Sequence, residues 1–292
     1  LRDGNVWLIE GNTSIRRAVI TTGDLDGRIF SISADGQWLI FTRHSEEEEQ
    51  INSLWAVNLA EVLDSSSGEA ELIDLKVANV IHFADWRPGG DTRIVFSTVE
   101  PRPSAPGWQA NNDLLAMVFS SSGWTTQWTT LLEANSGGIY GWWGTNFSWS
   151  PDGSQLAYTR PDGIGLVDLA EGLLNSLFEI TPLQTRGDWA WAPGIAWSKD
   201  GDRIFTVDHP APNSASAPEE SPLFDLVSIS LEDAQKTILV SQSGMFAYPL
   251  VSPADENGLS QLAYLQAIFP NQSETSRYQV ALVDENGSDQ RI

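Results

Sequence analysis

The chain has no cysteine. That absence removes disulfides, zinc-thiolate sites and thiol nucleophiles together. Basic residues are scarce: 16 Lys and Arg stand against 39 Asp and Glu, for a net charge of −23. Such a deficit argues against nucleic acid and anionic membrane surfaces as partners. It fits solubility alone, and equally a basic partner or cations. No apolar run approaches the roughly eighteen residues that a spanning helix needs. There is no Gly-x-Ser-x-Gly elbow and no phosphate-cradling glycine loop, which excludes a serine hydrolase of the elbow type and a P-loop within these residues. Histidine is limited to three copies, His44, His82 and His209, with no cluster among them.

What the chain does have is a repeat. The clearest copies are Phe147–Tyr158, which carries Trp149-Ser150-Pro151-Asp152-Gly153, and Ile195–Phe205, which carries Trp197-Ser198-Lys199-Asp200-Gly201. Weaker copies run from Phe30 through Asp35-Gly36, from Phe83 through Trp86 and Pro88-Gly89-Gly90, and from Tyr248 through Pro253-Ala254-Asp255. Each copy is a strand, a tight turn and a second strand. Asp before Gly accepts backbone N–H groups inside such a turn, and Gly supplies the positive φ. After each pair comes a further hairpin with alternating apolar and polar residues, the strand pattern rather than the helical one. An all-strand repeat of about fifty residues is the signature of a propeller.

These turns resemble the TolB-like propellers, built from WD40-like Trp-Ser-Pro-Asp-Gly repeats. Trp149–Gly153 matches that pattern in full, Trp197–Gly201 with Lys199 in place of Pro, and Asp35-Gly36 only at its end. The resemblance implies a six-bladed periplasmic, lipoprotein-like or secreted propeller that binds other proteins. It carries over no catalytic residue, because the motif itself is structural.

The expected fold is therefore all-β: one domain over residues 1–292, a six-bladed β-propeller of four-stranded antiparallel blades. The blades are placed at roughly 29–75, 83–132, 147–181, 195–240 and 248–292, with residues 1–20 as an outer hairpin of the closing blade. One inner strand pair is then missing, which leads to the expectation that the native chain continues beyond Ile292 or begins before Leu1.

Chain direction sorts the loops. The Asp-Gly turns share one rim, and the long loops His44–Ser53, Pro101–Asn112, His209–Leu223 and Phe269–Arg277 share the other, with the linkers at Trp142-Trp143 and Trp189–Trp191. Long loops on one rim of a rigid scaffold are where binding usually lives. The candidate binding face is Trp108, Trp142, Trp143, Trp189 and Trp191, with the acidic run Glu46, Glu47, Glu48 and Glu49, and with His44 and His209. Exposed indoles bury much area at little entropic cost; the plainer alternative is that they pack over the blade ends. His44 and His209 fall at the same repeat position, eight residues after the turn glycine, but three blades apart, too far to share an ion.

The sequence thus supports a non-catalytic binding or assembly module outside the cell or at its envelope, holding a protein partner. No enzyme activity, catalytic residue, metal or cofactor is assigned. Two alternatives stand beside it: a carbohydrate-binding propeller with a Trp platform, and a metal-dependent lyase or hydrolase on a propeller.

Overall fold

The computed structural model describes residues 4–9, 11, 15–45, 51–64, 71–89, 93–101, 103, 108–110, 113–120, 123–185, 189–212, 217–253 and 260–292, with backbone alone at 64, 101, 108, 109, 119, 120, 123–127, 139, 142 and 143. It forms two compact units, residues 1–143 and 144–292. Every pairing between named strands is antiparallel. No helix among the described residues is long and apolar enough to cross a membrane.

The first unit opens with a hairpin, β1 (Val6–Ile9) against β2 (Arg16–Ile20). A continuous sheet follows, from β3 (Leu25–Ile32) through β4 (Trp38–His44), β5 (Asn52–Asn58), β6 (Leu72–Trp86), β7 (Arg93–Pro101) and β9 (Leu114–Ser120) to β10 (Gly123–Leu132), with β8 (Trp108–Ala110) paired to β7. A helix not expected from the sequence, α1 (Leu59–Asp64), follows β5, and the Asn58 side chain caps it by accepting from the backbone of Ala60 at 2.9 Å.

The sequence reading separates two blades between residues 75 and 83; the chain instead runs through as β6. Its first half pairs with β5 and its second with β7. The register against β5 shifts at Lys76, whose φ is +59°, and Asp74 accepts both the Lys76 N–H at 2.8 Å and its Nζ at 2.6 Å; the change of partner comes further on, between Asn79, opposite Asn52, and Val80, opposite Val99. A positive φ is costly for a side-chain-bearing residue, and the local carboxylate offsets part of that cost.

The second unit consists of discrete sheets. One joins β11 (Asn146–Trp149), β12 (Leu156–Arg160), β13 (Gly163–Asp168) and β14 (Leu173–Glu179); the next joins β15 (Ile195–Trp197), β16 (Arg203–Asp208), β17 (Asp225–Ser230) and β18 (Lys236–Val240); the last has β19 (Leu250–Val251), β20 (Gln261–Ala267) and β21 (Tyr278–Asp284). One apolar core threads all three sheets, with Ile164, Phe205, Leu226 and Leu262 fully buried.

The repeat turns are the same device three times. Ser150 Oγ donates to Asp152 at 2.6 Å and accepts from the Gln155 N–H at 2.9 Å, while Asp152 also accepts from the Ser154 N–H at 3.0 Å. Ser33 with Asp35 and Ser198 with Asp200 repeat this pattern. Gly153 sits at φ +69°, and its N–H donates to the Ser150 carbonyl at 2.8 Å. The repeat tryptophans tie neighbouring sheet segments within each unit: Trp86 Nε1 donates to the Ser31 carbonyl at 3.2 Å and Trp197 Nε1 to the Ser148 carbonyl at 3.1 Å. Both are buried, Trp86 at the end of β6 and Trp197 at the end of β15. The motif is structural, as its residue types dictate.

Candidate active site in the second unit

Two connections and two loops of the second unit enclose a cleft of about 740 Å³. The connections are residues 180–185 and 189–194, between β14 and β15, and 241–249, between β18 and β19; the loops are those described after β16 and β20. An aromatic group fixes its floor. The His209 ring stacks on Phe224 with centroids 4.8 Å apart and 15° between planes, and Trp191 meets Phe224 edge-on at 5.0 Å. Trp191 Nε1 donates to the Met245 carbonyl at 2.9 Å, and the two nitrogens of His209 lie 2.7 Å from the Thr181 carbonyl and 2.8 Å from the Ser221 carbonyl. Three segments are thereby tied at one point, and buried polar groups find partners as burial requires.

The opposite side of the floor is held by Ser273, whose hydroxyl accepts from the Met245 N–H at 3.2 Å and whose carbonyl accepts from the Tyr278 hydroxyl at 2.8 Å. Gly244 is needed beneath it. Its φ is +101°, and a Cβ there would meet the Ala267 Cβ at 2.6 Å.

The rim is polar. Glu220 ends a 3₁₀ turn (Pro218–Glu220), and Glu274 follows another (Pro270–Gln272), so the two carboxylates reach one cleft from separate loops. The Gln184 N–H donates to the Glu219 carbonyl at 2.8 Å, joining the first connection to the loop that carries Glu220. Trp189 stands at the rim, 37% exposed, and its carbonyl accepts from the Thr185 hydroxyl.

Of the residues singled out from sequence, Trp189, Trp191 and His209 come together here, in different roles. Trp191 is 3% exposed and His209 1%; both pack against Phe224, the one ring of the three that lines the cleft, and neither is contact surface. Only Trp189 of the pair offers an indole face. His44 is exposed at the end of β4 in the first unit. Glu46–Glu49 lie outside the described residues, as do the side chains of Trp108, Trp142 and Trp143. His82 is largely buried on β6, and burial followed by the nearby Arg28 charge depresses its basicity.

Sequence reasoning missed Glu220 and Glu274, and also the carboxylates that shape the linkers. Asp113, just before β9, accepts the Asn135 and Gly137 N–H groups at 2.9 and 2.8 Å; Asp225, opening β17, accepts the Gln242 N–H at 2.7 Å. Burial pushes the Asp113 carboxyl above the ordinary range, against those backbone donors. The signal was present: Asp-Leu opens the third strand in both repeats, as Asp113-Leu114 and Asp225-Leu226.

No family model matches the chain, and no curated protein sequence does. Solved structures do match. An oligogalacturonate lyase in complex with manganese aligns with a TM-score of 0.60 at 14% identity, covering 97% of this chain and 72% of that one. A prolyl endopeptidase aligns at 0.54 and 14%, covering 97% and 38%. A dihydro-haem d1 dehydrogenase aligns at 0.54 and 14%, covering 99% and 52%. These neighbours are propeller-type proteins, and the all-β antiparallel architecture agrees with them: the fold is of the β-propeller type.

The same comparisons correct the functional expectation. The chain was read as a non-catalytic binding module and not an enzyme; the solved structures that share its fold are mostly enzymes, and that expectation is not kept. That reading looked for a motif along the chain, and the two carboxylates of the cleft are more than fifty residues apart in sequence. The manganese of the lyase complex finds no matching donor set here. Among the described residues no three His, Asp or Glu side chains group to hold a metal, and both His209 nitrogens face backbone carbonyls.

Proposed function

We propose that the chain is an enzyme of the lyase or hydrolase class on a six-bladed, TolB-like propeller, working in the cleft of the second unit. The observation that carries this reading is that Glu220 and Glu274 line one cleft from two separate loops over an aromatic floor. Bond cleavage by elimination or hydrolysis needs one group to take a proton and another to give one, and two carboxylates on one cavity supply both roles. Enzymes among the solved structures of this fold, a lyase among them, support it. The prolyl endopeptidase supports it less. This chain spans 38% of that protein and carries no nucleophile elbow, so the reading rests on chemistry within the cleft. No step is routed through a metal.

The test is a turnover screen of the purified protein against oligosaccharides and peptides, read by mass spectrometry, with Glu220→Gln and Glu274→Gln beside it. Each substitution is expected to lower turnover by roughly 10²- to 10⁴-fold while leaving the thermal midpoint unchanged, because both side chains are exposed. Turnover that survives both substitutions would overturn the assignment.

A further inference from the structure

We infer that His209 is a positioning residue: its doubly protonated ring ties the loop that carries Glu220 to the connection after β14, and the tie is released as the pH rises. This rests on the reading of the cleft as the reaction site and names a regulation of it.

Geometry is the first argument. The His209 Nδ1 lies 2.7 Å from the Thr181 carbonyl oxygen, and its Nε2 lies 2.8 Å from the Ser221 carbonyl oxygen. A carbonyl oxygen only accepts, and a neutral imidazole carries one N–H. A neutral ring therefore makes one of the two bonds and turns a lone pair on the other oxygen. Both contacts are bonds only when both nitrogens carry a proton. Both are also shorter than the usual N–H donor distance of about 2.9–3.0 Å and fall within the charge-assisted range of about 2.7–2.9 Å. The ring lies over Phe224, with centroids 4.8 Å apart and 15° between planes, and a cation over an aromatic face is attracted by it. Burial of the ring works against the charge. The charge is thus kept by these contacts, and the contacts by the charge.

The second argument is what the ring joins. Thr181 belongs to the connection after β14. Ser221 closes the loop after β16: its carbonyl meets His209, and its hydroxyl donates to the Pro210 carbonyl at 2.7 Å. Glu220 is the residue before it. The Gln184 N–H joins the same two segments by its bond to the Glu219 carbonyl at 2.8 Å. Loss of one ring proton breaks one side of the clamp and shifts the load onto the Gln184 bond. Other charges stand on the elements packed around the ring. Asp208, next to it in the chain, binds Lys236 Nζ at 2.6 Å, and Asp225, opposite Asp208 in the sheet, accepts the Gln242 N–H at 2.7 Å. Glu179 is exposed at the end of β14, as are Glu219 and Glu220 on the loop. Arg186 and Asp188 lie outside the described residues. A neutral residue at 209 separates the ring from all of these, because it removes the ring's charge and leaves theirs.

The experiment follows ring, clamp and turnover in the intact chain as the pH is raised from about 5 until the ring loses a proton. Ring-nitrogen NMR shifts, assigned with His44→Gln and His82→Gln in the first unit, report protonation. Exchange of the Gln184 amide, relative to the Gly153 amide of a repeat turn, reports the clamp. Turnover is read on the oligosaccharide and peptide panel. Both ring nitrogens are expected to carry protons at the acid end. As one proton leaves, Gln184 protection should fall roughly tenfold, and turnover with it. In His209→Gln, whose donors sit on a single nitrogen, both should be lowered throughout and no longer follow that step. The wild-type signals carry the test even where this variant does not fold. A ring with one unprotonated nitrogen at the acid end overturns the inference. So does deprotonation that leaves Gln184 protection unchanged, or an alkaline loss of protection that His209→Gln retains. Turnover that holds while the amide loosens overturns the positioning role and leaves the enzymatic reading standing. Ring and amide that change together in a protein that cleaves nothing support the tie and remove the enzymatic reading instead.

Discussion

The two units build similar sheets from the same repeat but connect them differently. In the first, β6 carries the chain from one repeat into the next without leaving the sheet, with a register shift at Lys76 and the change of partner between Asn79 and Val80. In the second, the chain leaves β14 and β18 before it re-enters a sheet, and the described parts of those excursions, residues 180–185, 189–194 and 241–249, line the cleft. Strand residues in both units alternate in and out in the ordinary way. The cleft of about 740 Å³ is thus built by connections, whereas the continuous strand lines a smaller hollow of about 400 Å³ with Lys76, Val77, Ala78 and Asn79.

The sharpest way to break this comparison is at the knot that holds the second unit's connections. Trp191→Ala removes a buried indole, its bond to the Met245 carbonyl and its contact with Phe224. The expected loss is about 3–5 kcal/mol, read as a lowered urea midpoint. Trp189→Ala, two residues away but at the rim, is expected to change stability by no more than about 0.5 kcal/mol. Equal effects from the two would mean that the connection is not organised around the aromatic floor.

A smaller effect is expected where the first unit has no connection. Lys76→Val places a β-branched residue at φ +59°, a conformation that costs on the order of 1–2 kcal/mol. Lys76→Gly should be neutral or stabilising, because glycine adopts that conformation freely. If both variants lower stability alike, the pairing through Nζ to Asp74, rather than the backbone conformation, holds the strand together.

This contrast also explains what was legible in advance. The strand–turn–strand unit is written locally: Ser150, Asp152 and Gly153 satisfy one another within a few residues, so reading them in order is enough to place the turn. The run-through of β6 was not legible, because Asn79 is a turn residue by type, and what keeps it in the strand is pairing with Asn52 of β5, distant in sequence. The long-loop rim was expected to carry function, and the cleft lies among those loops. Which side chains face it was not legible. Trp189 and Trp191 are separated only by Ala190, yet one caps the rim and the other fills the floor, and that choice is made by Phe224 and the Met245 carbonyl, distant in sequence. Glu220 and Glu274 lacked any local signature for the same reason.

The smallest expected effect concerns the turns themselves, and pH separates it from packing. The Ser150 hydroxyl first, then the Ser154 N–H and hydroxyl, hold the Asp152 carboxyl down from 3.8 to about 2. Serine hydroxyls likewise lower Asp35 and Asp200. A carboxylate whose folded pKa lies below its unfolded one contributes stability that is complete above the unfolded value and is lost as the pH falls through the folded one. These turns should therefore weaken between about pH 4 and about pH 2. Asp85 of the first unit runs the other way. Burial raises its carboxyl despite the Ser31 hydroxyl bond, so what it contributes is present at low pH and lost as the pH rises. Asp152→Asn should flatten the acid limb of stability, with a loss near neutral pH smaller than that of either substitution above. Urea midpoints of wild type and variant at about pH 6, 3 and 2 make the comparison. An acid limb unchanged by Asp152→Asn, and by the same substitution at Asp35 and Asp200, would show that the repeat turns are held by their backbone bonds and glycines, with the carboxylates contributing nothing that protonation removes.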